Sequence, residues 1–153
     1  MLAENQTLTV LGCGTMGEAI VRGLLNSGRV KPAQVFATDR RGEVVKALRD
    51  KHGIRAGSDN LYACKAAEVV VVCVKPHEVG AAVGTPEMRK VLAGKLVISI
   101  AAGVRLAQLA DWLPESHVIR AMPNTPCLIG EGMTVIARGP GVTDAHAQQA
   151  IEI

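Results

Sequence analysis

Three glycines near the start of the chain have a spacing that can bind the pyrophosphate of a nucleotide. Gly12, Gly14 and Gly17 form a GxGxxG pattern directly after an apolar run. The first glycine permits a tight turn, the second omits a side chain where an anion would approach the backbone, and the third lets a helix pack closely on a strand. A helix beginning here would direct free N–H groups and the positive end of its dipole at that anion. The alternative is a turn whose glycines are purely conformational and bind no ligand.

Charged residues follow the second apolar run, at the position that commonly distinguishes one nucleotide ribose from another. Asp39 could accept hydrogen bonds from a ribose 2′-hydroxyl, which favours NAD(H). Arg40 and Arg41 could neutralise a 2′-phosphate, which favours NADP(H). The alternative without a ligand is a solvated charge cluster that caps the next helix. The two arginines favour NADP(H), and NAD(H) stays open as the second choice.

Two later apolar runs end in residues that could contact the same ligand. Residues 73–76 close one run and residues 100–103 close the next. Because ligands of open α/β sheets lie outside the carboxyl ends of the strands, both segments are expected to line one crevice with the glycine turn. The small residues of the second segment would let a cofactor approach the backbone. Without a ligand, Lys75 would be a solvated charge and Pro76 the start of a helix.

Apolar, β-rich runs alternate along the chain with segments of helical periodicity. The runs are 7–11, 34–38, 68–74, 95–100, 117–122 and 133–137. Helices are expected at 18–26, 43–51 and 105–112, with one more N-capped by Thr85 and one that begins at Thr143. This alternation predicts βαβ units and a Rossmann-like α/β fold with a doubly wound, mainly parallel sheet. Strand, glycine motif, helix and second strand occur in the order that favours a bound dinucleotide.

Composition and charge exclude several other classes of protein. Hydrophobic residues make up 48% of the 153 residues and charged residues 20%, which fits one globular domain over 1–153. Aromatic residues are 2% and the net charge is only +3, so no nucleic-acid partner is expected. The N-terminus lacks the pattern of a signal peptide, and the apolar run 69–74 is too short to span a membrane. We therefore expect a soluble, cytoplasmic protein without membrane contact.

The spacing of cysteine and histidine residues predicts no metal site. Cys13, Cys64, Cys73 and Cys127 form no CxxC pair, and the histidines lack the spacing of zinc ligands. Buried or loop thiols in a reducing compartment are the expected state of these cysteines.

Together with the segment LGCGTMG, three further motifs resemble the N-terminal half of pyrroline-5-carboxylate reductases. They are VKP at 74–76, ISIAAG at 98–103 and RAMPNTP at 120–126. The resemblance runs from Leu8 to Ala137 and implies NAD(P)H-dependent reduction of 1-pyrroline-5-carboxylate to L-proline, the last step of proline biosynthesis. It also implies that Asn60 contacts the cofactor; the local alternative is that Asn60 N-caps the following short helix, and one side chain can do both.

The motifs and the resemblance together define one candidate site. The predicted cofactor-binding residues are Leu11, Gly12, Cys13, Gly14, Thr15, Met16, Gly17, Thr38, Asp39, Arg40, Asn60, Cys73, Val74, Lys75, Pro76, Ile100, Ala101 and Ala102. Met122, Asn124 and Thr125 resemble the family's loop at the mouth of the active site, where the small-molecule substrate would be a cyclic imino acid. An ordinary rigid turn explains the two prolines of this loop almost as well.

The resemblance further implies a C-terminal half that is absent from these 153 residues. In the family that half is a helical domain that forms the dimer and supplies a Ser- and Thr-rich loop for the substrate, so a homo-oligomer is expected through it. The chain is then a cofactor-binding domain truncated in a helix near 143–153 and inactive alone, and no catalytic residue is assigned. Two rival functions remain open: a non-catalytic nucleotide-binding module, and another imine or F420-type NADP oxidoreductase.

Overall fold

Seven strands form a single sheet in the computed structural model, which describes residues 2–153. The strands are β1 Leu8–Leu11, β2 Val35–Thr38, β3 Arg55–Gly57, β4 Val69–Val72, β5 Leu96–Ser99, β6 His117–Pro123 and β7 Thr134–Arg138. Their order is β3-β2-β1-β4-β5-β6-β7, and every neighbouring pair is parallel except β6 with β7. The predicted Rossmann-like, mainly parallel sheet is confirmed.

Residues 2–153 contain seven α-helices, six of them between strands and the seventh after β7, and local side chains explain where several of them begin and end. The helices are α1 Thr15–Asn26, α2 Gly42–His52, α3 Asn60–Lys65, α4 Val79–Val83, α5 Pro86–Leu92, α6 Leu106–Trp112 and α7 Asp144–Glu152. Short 3₁₀ helices lie at Pro32–Gln34, Pro76–Glu78 and Thr125–Ile129. As predicted, the Thr85 hydroxyl accepts a hydrogen bond from Met88 N at 3.2 Å and the Thr143 hydroxyl from His146 N at 3.3 Å. Gly53 ends α2 with a φ of +64°.

The central strand β4 is buried on both faces, which explains its unbroken run of valines. Val69 and Val71 belong to the apolar cluster that packs under α1 and α2. Val70 and Val72 belong to the cluster on the opposite face, under α3 to α6. Each fully buried valine contributes roughly 1.5–3 kcal/mol relative to an exposed one. The two clusters hold the helices on both faces of the sheet, as expected for a parallel sheet covered on both sides.

The topology opens a crevice at the carboxyl end of β1. From β1 the chain crosses to β2 on one side, and after β3 it returns to β4 on the other side. Leu11, the last residue of β1, is in register with Thr38 of β2 and with Val72 of β4. Connections leaving the strands on opposite sides of β1 separate here, and this switch point is where open α/β sheets bind ligands.

One strand and one α-helix of the fold were not predicted. Strand β3 contains only Arg55, Ala56 and Gly57, which have no apolar run, and its position depends on pairing with β2. Helix α4 is only five residues long, too short for a helical period to be detected. Within residues 2–153, none of the helices combines the length and the apolar character needed to cross a membrane.

Candidate functional site

The turn between β1 and α1 is shaped by Gly12. Its φ of +79° is left-handed, and a Cβ on it would lie 2.6 Å from Val74 Cγ1 and 2.8 Å from Val74 N. The N–H groups of Gly12 and Cys13 both donate to the carbonyl oxygen of Thr38, at 3.0 and 2.9 Å. Any side chain at position 12 would therefore strain the backbone and push the turn away from the residues that follow β4.

Gly17 brings α1 close to the sheet. A Cβ at this position would lie 2.8 Å from Gly12 O and 3.4 Å from Cys73 Cβ. Gly17 is buried, so the helix could not move outward without opening the core. The third glycine of the motif is thus required by helix–strand packing, as its position predicts.

Gly14, in contrast, is a glycine that the protein itself does not require. Its φ of −75° is accessible to any residue, and a Cβ on it would have no atom within 4 Å. Gly14 is the N-cap of α1 and offers no side chain to the first-turn N–H groups. These donors, which have no acceptor within the helix, therefore face an open space that an anion can enter.

The open space beside Gly14 is a crevice of about 770 Å³ at the carboxyl ends of β1, β2 and β4. Such a volume lies within the range of pockets that hold cofactors and other small molecules. Its walls are formed by Gly12, Gly14, Thr15, Met16, Thr38, Asp39, Arg40, Arg41, Ser58, Asn60, Cys73, Val74, Lys75, Glu78, Ala81 and Ala82. The crevice is thus large enough for a nucleotide, and the glycine turn that begins α1 forms part of its wall.

Charged side chains surround the crevice beyond the end of β2. Asp39 accepts from Arg41 through both carboxylate oxygens, from Nε at 2.8 Å and from Nη2 at 3.0 Å. These hydrogen bonds hold the pKa of the Asp39 carboxyl below its ordinary value. Arg40 forms an ion pair with Glu78, which lies after the end of β4. The two arginines that could bind a 2′-phosphate are therefore each paired with a carboxylate.

Asn60 lies in the crevice wall and is oriented by the end of β2. The buried hydroxyl of Thr38 donates to Asn60 Oδ1 at 2.6 Å, so the Asn60 amide N–H groups are left for other acceptors. The expectation that Asn60 N-caps the following helix is wrong. Asp59 is the N-cap of α3, and its Oδ1 accepts from Tyr62 N at 2.9 Å. Asn60 is the first residue inside the helix, which releases its side chain toward the crevice.

Burial favours the neutral form of the two thiols near the turn. Burial raises the pKa of Cys13 to about 12 and holds the pKa of Cys73 well above its ordinary value. Both groups are therefore neutral thiols at physiological pH, and a neutral thiol is a poor nucleophile. Cys13 and Cys73 pack in or against the apolar cluster beneath the turn.

The loop after β6 is fastened at several points. Asn124 Oδ1 accepts from Met133 N at 2.9 Å, which closes the loop on the start of β7. Arg22 of α1 donates to the carbonyl oxygen of Leu128, so the loop also contacts the helix that begins at the glycine turn. Met122 is half-buried, while Asn124 and Thr125 are exposed.

Comparison with known proteins agrees with this geometry. A family model described as NADP oxidoreductase, coenzyme F420-dependent, matches residues 7–103. The chain belongs to this oxidoreductase family. It is 34% identical over 151 residues to the pyrroline-5-carboxylate reductase of Methanosarcina acetivorans, covering 98% of this chain and 56% of that protein. It is 38% identical over 146 residues to the Escherichia coli pyrroline-5-carboxylate reductase, covering 94% and 53%.

A solved structure has a similar backbone fold. The pyrroline carboxylate reductase of Plasmodium falciparum, a crystal structure with NADP bound, has a TM-score of 0.85 and 26% identity, covering 97% of this chain and 54% of that one. The predicted resemblance to pyrroline-5-carboxylate reductases is thereby confirmed. The chain spans about half the length of the curated relatives it matches.

Most of the predicted cofactor-binding residues lie in the crevice wall, but some lie elsewhere. Leu11, Cys13 and Gly17 are buried beneath the turn. Among residues 2–153, the crevice wall does not include Pro76, Ile100, Ala101 or Ala102. Ile100 to Gly103 follow β5, the strand next to β4 at the same edge of the sheet, and of these residues Ala101 is packed in the core. Direct cofactor contacts of all these residues stay predictions.

Four residues of the crevice wall were not predicted: Ser58, Glu78, Ala81 and Ala82. Ser58 follows β3, a strand that leaves no pattern in the sequence. Glu78 and the two alanines belong to the turn and helix after Lys75-Pro76. The available signal was the Lys-Pro pair, since proline after a strand end commonly begins a helix whose first turn faces the ligand.

Proposed function

We propose that residues 1–153 form the NADP(H)-binding domain of a pyrroline-5-carboxylate reductase, which reduces 1-pyrroline-5-carboxylate to L-proline in the last step of proline biosynthesis. The observation that carries this proposal is the open backbone at Gly14, where neither φ nor packing requires a glycine. A ligand that must approach the backbone would account for a glycine at this position. The names of the relatives from Methanosarcina acetivorans and Escherichia coli support the substrate.

The residues of the chain would bind and orient the cofactor. The first-turn N–H groups of α1 would hold the pyrophosphate, with Gly14 leaving room for it. The Asn60 amide, fixed by Thr38, would donate to the cofactor. Residues 73–76 and 100–102 would border the nicotinamide end. When bound, the reduced nicotinamide supplies the hydride that a cyclic imine accepts at its electrophilic carbon.

The choice of NADP(H) over NAD(H) follows from charge at the ribose end. Arg40 and Arg41 would face a 2′-phosphate beyond β2. Asp39 has both carboxylate oxygens engaged by Arg41, which reduces its availability to a ribose 2′-hydroxyl. The family description and the NADP-bound Plasmodium falciparum relative support the same choice. NAD(H) is the alternative cofactor.

The substrate side would involve the loop that contains Met122, Asn124 and Thr125. Asn124 is held by the start of β7 and the loop contacts α1 through Arg22, so this segment is positioned relative to the cofactor-binding helix. In the relatives about half of the protein lies outside the matched region. We propose that a helical C-terminal domain supplies the remaining substrate contacts and the homo-oligomer interface.

The test is an assay of the longest form of the protein that its gene encodes. Formation of L-proline from 1-pyrroline-5-carboxylate and NADPH is the expected result. Turnover of other cyclic imines or of coenzyme F420 without proline formation would favour the rival oxidoreductase. Cofactor binding with no turnover of any of these compounds would favour a non-catalytic nucleotide-binding module.

A further inference from the structure

A carboxylate in the crevice wall is already hydrogen-bonded to the arginine that would bind a 2′-phosphate. Glu78 Oε1 accepts from Arg40 Nη2, across the space between the ends of β2 and β4. Arg41 is already bonded to Asp39 by two side-chain hydrogen bonds. Each arginine at the ribose end is thus neutralised by the protein before any nucleotide enters.

The two partners of the Arg40–Glu78 pair differ in how firmly they are held. The Glu78 side chain is 24% exposed, and its second oxygen accepts from Lys75 N at 3.3 Å. The Arg40 side chain is 85% exposed and has no other hydrogen bond or ion pair within residues 2–153. The carboxylate is therefore fixed in the wall, and the guanidinium is the partner that is free to change position.

A 2′-phosphate and a 2′-hydroxyl would respond differently to this pair. A phosphate monoester carries about −1.5 to −2 charges near neutral pH and binds arginine through paired hydrogen bonds. Drawing Arg40 away would leave the Glu78 carboxylate unpaired and close to a second negative group. The uncharged ribose 2′-hydroxyl of NAD(H) would neither draw Arg40 away from Glu78 nor place a second negative charge near Glu78.

We propose that Glu78 is a specificity-determining residue, a carboxylate that competes with the 2′-phosphate for Arg40 and so weakens NADP(H) binding without affecting NAD(H). This inference rests on the proposed function, since it requires a dinucleotide in the crevice. It assigns Glu78 a role opposite to that of Arg40 at the same end of the site. The preference between NADP(H) and NAD(H) then depends on both Arg40, which would attract the 2′-phosphate, and Glu78, which competes with that phosphate for Arg40. It does not depend on the residues after β2 alone.

Titration of NADPH and NADH against Glu78→Gln tests the proposal. Glutamine keeps the size of the side chain and an oxygen for Lys75 N, and circular dichroism would verify that the fold is retained. The expected result is NADPH binding tightened by about two- to fivefold, the size of a partly exposed ion pair, with NADH binding unchanged. The matched control is Glu87→Gln, an exposed glutamate of α5 outside the crevice wall, which should change neither affinity.

The variant Arg40→Gln separates competition from a general charge effect. It should weaken NADPH binding, and in this background Glu78→Gln should have a smaller effect than in the wild-type chain. Weaker NADPH binding by Glu78→Gln, or an equal change for NADPH and NADH, would overturn the role of Glu78 while leaving dinucleotide binding intact. Failure of the folded wild-type chain to bind either nucleotide would instead overturn the proposed function, and the role of Glu78 with it.

Discussion

Gly12 packs directly on the backbone of Val74, and a Cβ on Gly12 would lie 2.8 Å from both Val74 N and Val74 Cα. This contact fixes the glycine turn between β1 and α1 against the residues that follow β4. It places the glycine motif and the Val74-Lys75-Pro76 segment, which are far apart in the sequence, in one wall of the crevice.

Gly12→Ala is expected to destabilise the fold by about 2 kcal/mol or more, because it adds left-handed strain and an overlap with backbone. Gly28→Ala is the matched control, since Gly28 also has a positive φ, +67°, but no atom within 4 Å of an added Cβ. That control should cost about 1 kcal/mol from strain alone. Urea denaturation of both variants measures the difference, and equal losses of stability would contradict the role of the Val74 contact.

Gly14→Ala should separate binding from folding. The change in stability is expected to be below about 1 kcal/mol, because φ and space at this position accept a side chain. NADPH affinity should nevertheless fall, since the methyl group enters the space of the pyrophosphate. Gly23→Ala, on the exposed side of α1, should stabilise the helix by about 0.5–1 kcal/mol without changing affinity. Equal NADPH affinities of the two variants would show that Gly14 does not face the ligand.

Asp59 and Asn60 are neighbours with different expected roles. Asp59→Ala removes the N-cap of α3 and should lower stability by about 1 kcal/mol with NADPH affinity unchanged. Asn60→Ala leaves the buried Thr38 hydroxyl without its acceptor, which costs about 1–3 kcal/mol, and it should also weaken NADPH binding. Thermal unfolding with and without NADPH distinguishes them. If Asp59→Ala lost as much NADPH affinity as Asn60→Ala, the different roles expected for the two residues would be wrong.

Glu18 links α1 to α2 and gives the stability a defined dependence on pH. It accepts from Lys51 Nζ at 2.6 Å and pairs with His52 Nε2 at 3.1 Å, and these bonds hold the pKa of the Glu18 carboxyl below its ordinary value. Since the pKa is lower in the folded state, the stabilisation is present above the unfolded-state pKa and is lost as the pH falls through the folded-state pKa. The contribution should stay below about 1 kcal/mol, as for other exposed pairs.

Melting temperatures of the wild-type chain and Glu18→Gln between about pH 7 and about pH 3 test this link. The wild-type advantage should be present at neutral pH and disappear on the acid side. Glu115→Gln, which changes an exposed glutamate outside the helices and strands, is the control for the loss of one carboxylate. A difference that stays constant over the whole range would contradict the proposed linkage.

Local patterns in the sequence were sufficient for the sheet and for the glycine turn. The run of valines in β4 and the glycine spacing act within a few residues, so the fold and the position of the crevice could be predicted. Strand β3 could not, because Arg55 and Ala56 extend the sheet only through pairing with β2. Asp59 and Asn60 are both good N-cap residues in sequence, and the structure has Asp59 as the cap while Asn60 accepts a hydrogen bond from the distant Thr38.

Contacts between distant segments were beyond prediction for the same reason. The Arg40–Glu78 pair joins residues 38 positions apart, and no local spacing indicates it. The wall formed by Glu78, Ala81 and Ala82 likewise depends on how α4 packs over the end of β4. Predicting these neighbours from sequence alone would require the register of the whole sheet.

The most direct test of dinucleotide binding is a fluorescence titration of NADPH against the purified chain and against its Gly14→Leu variant. Saturable binding to the wild-type chain, with a Kd on the order of micromolar, and loss of at least about tenfold in affinity in a variant that still unfolds cooperatively, are the expected results. Absence of binding to the folded wild-type chain, or equal binding by Gly14→Leu, would contradict the assignment of the crevice to NADP(H).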